Sequence, residues 1–157
     1  MNIPKEDEEI LVSERNFDSI FSYTAGRTRS KFLTEIRDNK KILGIRCPNC
    51  NLVWVPPRST CIKCFAHLKD FLEVGKTGTV KTYSIINIAQ PFYPDKPPFI
   101  FGVIQLDGAD NGLVHLLGEV EPEDLKIGLR VEAVFKEERI GSILDIKHFK
   151  PTAIKRS

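Results

Sequence analysis

The sequence predicts a mainly β protein in three parts: helices at the N-terminus, a short module held by cysteines, and a small closed barrel. Three observations carry this reading. All four cysteines fall between residues 47 and 64, five β-patterned segments follow with no long helix between them, and the residues before 43 carry apolar side chains at helical spacing. The boundaries that follow are a helical leader over 1–43, a cysteine module over 44–70, a barrel over 71–150 and a tail over 151–157.

In the leader, Ile10, Phe17, Ile20 and Phe21 predict a first helix over about 14–22. "YTAGRTRS" (23–30), with Gly26 and small polar residues, reads as a loop. Ser30 is a reasonable N-cap for a second helix, whose stripe is Phe32, Leu33 and Ile36 and whose end is "RDNKK". Two such short helices cannot bury their stripes on each other, so they must dock on the rest of the chain or on a partner.

The cysteines form two CxxC pairs, "CPNC" and "CIKC", ten residues apart. Each pair sets two thiolates on a tight turn, and two such knuckles together give tetrahedral Cys₄ coordination of zinc. Cys47, Cys50, Cys61 and Cys64 are therefore the candidate ligands of one structural Zn²⁺ per chain, in a rubredoxin-like zinc ribbon. A catalytic zinc keeps an open position, which four cysteines do not leave. A thioredoxin-like CxxC opens a helix in a βαβ unit, and no such unit is visible. Between the knuckles, "NLVWVPPR" is expected to form a short hairpin arm.

The barrel begins with "TGTVKTYSIINIAQ", in which Val80, Thr82, Ser84, Ile86 and Ile88 alternate with Thr79, Lys81, Tyr83, Ile85 and Asn87. "FIFGVIQLD" (99–107) and "GLVHLLGEV" (112–120) follow as a hairpin closed by "GADN", and "LRVEAVFKEE" (129–138) and "SILDIKHFK" (142–150) complete five strands. Five strands in Greek-key order close as an OB-fold, which removes the edges of an open sheet. "PFYPDKPPF" (91–99) interrupts them with four prolines and three aromatics. Phe92, Tyr93 and Phe99 either cap the barrel end or present a stiff contact surface.

Charge separates along the chain. Residues 1–70 carry twelve basic against nine acidic side chains, and residues 71–150 carry nine against twelve. Positive charge gathers at Arg27, Arg29, Lys31, Arg37, Lys40, Lys41 and Arg46, a local field that suits an anionic group such as a phosphate, or is simply a solvated helix surface. No run approaches the roughly 18 apolar residues of a membrane span. The acidic N-terminus lacks the features of a signal peptide, so a cytoplasmic location with reduced thiols is expected.

Chemistry of the chain's own is thin. His67, His115 and His148 are separated, His115 sits on a strand face with Leu113 and Leu117, and no phosphate-binding glycine loop is present. With the cysteines committed to metal, no thiol remains as a nucleophile. Zinc ribbons and OB barrels also bind nucleic acid, but an acidic barrel and a near-neutral zinc-loaded chain argue against that partner.

The ordered set "RCPNCNLVWVPPRSTCIKC", "VGKTGTVKTYSII" and "PEDLKIGLRVEAVF", preceded by "YTAGRTRSKFLTEIRDNKKILG", resembles the zinc-ribbon/OB-fold family of acyl-CoA-associated proteins found beside thiolases. The resemblance runs from about Tyr23 to Phe149. It implies a non-catalytic accessory subunit in a hetero-oligomer, bound to a thiolase-like partner and helping to form its acyl-CoA site. The implied reaction is C–C bond cleavage or formation on a β-ketoacyl-CoA, including bulky aromatic or steroid-derived ones. On that resemblance Tyr23, Gly26 and Arg27 approach the partner's substrate channel, Arg27, Arg29, Lys40 and Lys41 meet CoA phosphates, and Phe92 and Tyr93 pack on the pantetheine or the partner. A scaffold that tethers a partner without touching substrate is the alternative.

Overall fold

The computed structural model of the chain describes residues 23–91 and 93–152. The helix expected over 14–22 lies outside these residues.

One helix, α1 (Gly26–Asn39), leads into a three-stranded antiparallel sheet made by β1 (Ile42–Arg46), β2 (Val53–Trp54) and β3 (Asp70–Val74), in the order β2-β1-β3. Five further strands close a barrel in the order β4-β5-β6-β8-β7: β4 (Thr77–Ile86), β5 (Phe99–Leu106), β6 (Gly112–Leu117), β7 (Arg130–Phe135) and β8 (Ile146–Pro151). Closure rests on β4 pairing with β7 through Thr77–Thr79, and on one parallel pair, Leu117 with Phe149, between β6 and β8. The architecture is the expected one: mainly β, with a zinc-ribbon sheet and a closed five-stranded OB-fold barrel.

Several details differ from the sequence expectations. Helix α1 starts at Gly26 rather than near Ser30, which lies inside it. Thr24 Oγ1 accepts from the Gly26 N–H at 3.2 Å, and the start is set by packing rather than by a polar cap at Ser30. The apolar stripe of α1 needs no partner. Phe32 and Ile36 are buried in one core with Ile42, Val55 and Val74 of the ribbon sheet and Val80, Ile104, Ile146 and Phe149 of the barrel. Nor does the segment between the knuckles fold back on itself as a hairpin arm. Only Val53 and Trp54 are strand, and they pair with β1, whose other edge takes β3. In β8, pairing begins at Ile146, because residues 143–145 form a 3-10 turn capped by Ser142.

The alternation expected along β4 is broken. Val80 pairs with Ile104 and Thr82 with Val103, so Lys81 is an extra residue in the ladder. Such a bulge reverses which residues face inward. Before it, Gly78 and Val80 oppose the buried Leu106 and Ile104; after it, Tyr83 and Ile85 oppose Gly102 and Ile100. Gly78 marks the crossing where backbones come closest, since a Cβ there would lie 2.6 Å from the Gln105 carbonyl oxygen.

The ribbon is fastened to the barrel by the β5–β6 turn. Asp110 Oδ2 accepts from Val53 N–H at 2.7 Å, while Asp110 N–H donates to Val53 O at 2.9 Å. Asn111 does the same for Val55 with its amide: Oδ1 accepts from N–H at 2.8 Å and Nδ2 donates to O at 2.6 Å. Two turn residues thus stand in for a strand beside the ribbon segment.

Candidate metal centre

The two knuckles repeat one backbone design. In each, the first cysteine's N–H donates to the carbonyl five residues on, Cys47 to Leu52 and Cys61 to Ala66, at 2.8 and 2.9 Å. Its carbonyl accepts from the N–H four residues on, Asn51 and Phe65, at 2.9 and 3.0 Å. Those two residues adopt positive φ, 57° and 59°, which turns the chain out of the knuckle. Backbone N–H groups point at sulfur, from Cys50 to Cys47 Sγ and from Lys63 to Cys61 Sγ, both at 3.4 Å.

The four Sγ atoms lie within 4.8 Å of one another, and Cys47 and Cys64 sulfurs are 3.5 Å apart. A tetrahedral ion with Zn–S bonds of about 2.3 Å needs sulfurs about 3.8 Å apart, so the quartet fits zinc. Ile45, Trp54 and Leu68 surround Cys47 and Cys61 in a small core of their own. Contact with Cys64, loss of solvent and contact with Cys47 push the Cys50 thiol up to about 12. At Cys61 burial opposes ionisation, but the N–H groups of Cys64 and Lys63 outweigh it and bring the thiol down to about 6. Zinc supplies the positive charge that keeps all four as thiolates. All four coordination positions are then protein sulfur, which suits a structural ion.

The basic residues expected to act together are divided. Arg27 and Arg29 occupy the first turn of α1, are exposed, and sit in a turn that holds no acid. Among the described residues no carboxylate pairs with either. At the opposite end, about 20 Å away at 1.5 Å per residue, Lys41 pairs with Glu73 at 2.8 Å, Arg37 pairs with Asp38 at 2.7 Å, and Lys40 ends the helix at φ 52°. Lys31 lies over the Phe71 ring at 4.4 Å. The helix packs on the ribbon sheet through Lys31, over Phe71, the residue paired with Ile45 in β1. Tyr23 lies just before the helix, whose first turn holds Gly26, Arg27 and Arg29. Tyr23 is 80 % exposed.

Tyr93 packs edge-on against Phe99, with ring centroids 5.3 Å apart, and Phe99 packs on Phe101 in the same way. Phe92 lies outside the described residues. A cleft of about 320 Å³ opens on the outer barrel face between Pro94, Phe101, Val114, Leu116 and the turn residues Ile143 and Leu144. This is the strand and loop position at which OB-folds take ligands, yet its walls are apolar. His115, which also lines it, is buried with both ring nitrogens engaged, Nε2 by Ile143 O at 3.2 Å and Nδ1 by the Leu116 N–H at 2.9 Å. It is a structural histidine, as its strand position suggested. Sequence reasoning missed strands β1 and β3 and the Asp110–Asn111 clasp. The clasp links residues more than fifty apart and leaves no local pattern.

A Cys₄ ribbon joined to an OB barrel defines the class: a zinc-ribbon/OB-fold protein. Residues 34–69 match the rubredoxin-like zinc ribbon domain of ChsH2, and residues 72–136 match the ChsH2 C-terminal OB-fold domain. A DUF35 domain-containing scaffold protein of Methanocaldococcus jannaschii is 30 % identical over 102 residues, covering 64 % of this chain and 72 % of that protein. A DUF35 scaffold protein of Pyrococcus furiosus is 29 % identical over 111 residues, with 70 % and 79 % covered. The chain belongs to this DUF35 family of zinc-ribbon/OB-fold proteins. In fold it is similar to a chain of an "Ltp2-ChsH2(DUF35) aldolase", with TM-score 0.61 and 22 % identity over 83 % of this chain and 100 % of that one. It is likewise similar to a DUF35-family protein of unknown function from Sulfolobus solfataricus, with TM-score 0.57 and 24 % identity over 69 % and 78 %.

Proposed function

We propose that the chain is a non-catalytic accessory subunit that docks on a thiolase-fold enzyme and helps form its acyl-CoA site. The observation that carries this is the first turn of α1. Arg27 and Arg29 stand exposed and, among the described residues, without acidic partners at a helix N-terminus, whose own partial positive charge they reinforce. Leaving two guanidinium groups there costs the free helix stability. An anion such as a CoA phosphate, held by charge-assisted hydrogen bonds, offsets that cost. Tyr23 beside them offers an exposed ring. Lys40 and Lys41, at the far end of the helix, meet a different part of the ligand or stay with Glu73.

The four cysteines are held by the metal, so the partner must supply the nucleophile. In this reading Zn²⁺, bound by Cys47, Cys50, Cys61 and Cys64, fixes the ribbon and with it the direction of α1. The similar aldolase assembly favours a partner that breaks a C–C bond, with a β-ketoacyl-CoA or related acyl-CoA as substrate. A bulky aromatic or steroid-derived acyl group fits that chemistry. Among the described residues no helix is long and apolar enough to cross a membrane, and reduced thiols suit the cytoplasm.

The scaffold names of the archaeal relatives favour a second reading, in which the chain tethers its partner without touching substrate. Nucleic acid is disfavoured by the apolar outer cleft, whose walls lack the cations that phosphate binding needs. Affinity purification of a tagged chain from its native cell, with zinc analysis, tests the subunit reading. A stoichiometric thiolase-fold protein with one zinc per chain is expected; zinc with nucleic acid and no such protein would overturn it.

A further inference from the structure

The barrel leaves the second half of β4 unpaired on one side. Strand β4 pairs with β7 only at Thr77–Thr79, and Val80 exchanges its last bonds on that side with Leu129 and Gly128. The bulge at Lys81 then turns the strand away. From Thr82 to Ile86 the strand is paired with β5 alone, and among the described residues no other backbone bond reaches it. An unpaired edge is a template for another strand unless it is shortened, charged, broken by proline or covered. Thr82, Tyr83, Ser84, Ile85 and Ile86 include no charge and no proline, and among the described residues the contact on this side is the Tyr83 hydroxyl donating to Leu125 O at 3.2 Å. Tyr83 and Ile85 are 37 % and 38 % exposed on its inner side, and Ile88, just beyond, is 73 % exposed.

We propose that this edge pairs with the same edge of a second copy of the chain, antiparallel about a two-fold axis through Ser84. The sequence is self-complementary in that register. Ser84 meets Ser84 of the second copy, Tyr83 meets Ile85, and Thr82 meets Ile86. Directly opposite residues share a face, so the two half-exposed apolar pairs bury each other on the inner side. Aromatic and β-branched cross-strand pairs are the favourable kind. Lys81 falls opposite Asn87, so the basic residue at the end of the stretch never faces its own copy. An isologous contact of this form closes after two chains and does not propagate. It lies on the barrel, away from the first turn of α1, and stands independently of the acyl-CoA reading.

The test is light scattering of the zinc-loaded full chain over a range of concentrations. Wild type is expected at twice the mass of one chain. Ser84→Lys, which sets two like charges opposite each other at an exposed position, is expected to halve it. Val114→Lys, exposed on the outer face but off the edge, is expected to leave it unchanged. In parallel, Ser84→Cys under mild oxidation should give a covalent dimer where wild type gives none. This keeps the proposal testable if the lysine variant fails to fold. A wild type that is monomeric throughout would overturn the proposal. So would a folded Ser84→Lys that remains dimeric, or a Ser84→Cys that cross-links only to a different protein.

Discussion

Asn111, in the turn between two barrel strands, satisfies both backbone groups of Val55 in the zinc ribbon, at 2.8 and 2.6 Å. Val55 is fully buried, so no water replaces the amide if it is lost. The contact adds to the core shared by ribbon and barrel, satisfying the residue that follows β2 where no strand is available.

Asn111→Ala strands a buried N–H and a buried carbonyl. At about 1–3 kcal/mol for each unsatisfied group, the expected loss is about 2–6 kcal/mol, read as a lower urea midpoint. Asn111→Asp keeps the acceptor and loses the donor, and is expected to fall between wild type and alanine.

Zinc removal should be visible through Trp54. The single tryptophan of the chain packs in the small core with Cys47 and Cys61. Chelation is expected to change its fluorescence in step with zinc release, at one ion per chain, while the barrel keeps its β signal in far-UV circular dichroism. Cys61→Ser should mimic the chelated state. Barrel unfolding concurrent with zinc loss would show that the two cores are one cooperative unit.

Acid should destabilise the fold through His115. Burial, the largest influence, lowers its pKa below the ordinary 6.5, against the opposing effect of its bonds to Ile143 and Leu116. The folded state therefore binds the proton less readily than the unfolded chain. The stabilising difference is complete above about pH 6.5 and is lost as pH falls below it. Replacing His115 by Gln should flatten that part of the stability profile, measured by urea unfolding between pH 7 and 5. The difference between them reports His115 together with its electrostatic coupling to His148 and Lys136.

Asp107 gives a second, more acidic step. Hydrogen bonds from Arg130 and Thr77 hold its carboxyl at about 2, below the ordinary 3.8. Its contribution is present above the ordinary value and disappears as pH falls through about 2. Asp107→Asn should remove that step, and because the site is half exposed the effect is expected to be small.

Much of this was legible in the residues. Two CxxC pairs at close spacing need a metal whatever fold surrounds them, and five short apolar runs without an intervening helix leave few options beyond a small barrel. What stayed hidden depends on contacts between distant residues. Nothing near Lys81 announces a bulge, because the extra residue appears only against β5. Nothing near Gly26 announces a helix start, because α1 is fixed by Phe32 and Ile36 in a shared core. The basic run from Arg27 to Lys41 reads as one patch in sequence, yet a helix carries its ends about 20 Å apart.

The central claim is that the first turn of α1 completes an acyl-CoA site on a partner enzyme. Calorimetric titration of CoA into the isolated chain, the partner and their complex tests it most directly, with Arg27→Glu/Arg29→Glu alongside wild type. The expected result is tightest binding to the complex, weakened at least about tenfold by the double reversal, as loss of one charge-assisted contact implies, with the two proteins still associated. Equal CoA affinity for the partner alone and for both complexes would contradict it and leave a scaffold that holds its enzyme without touching the substrate.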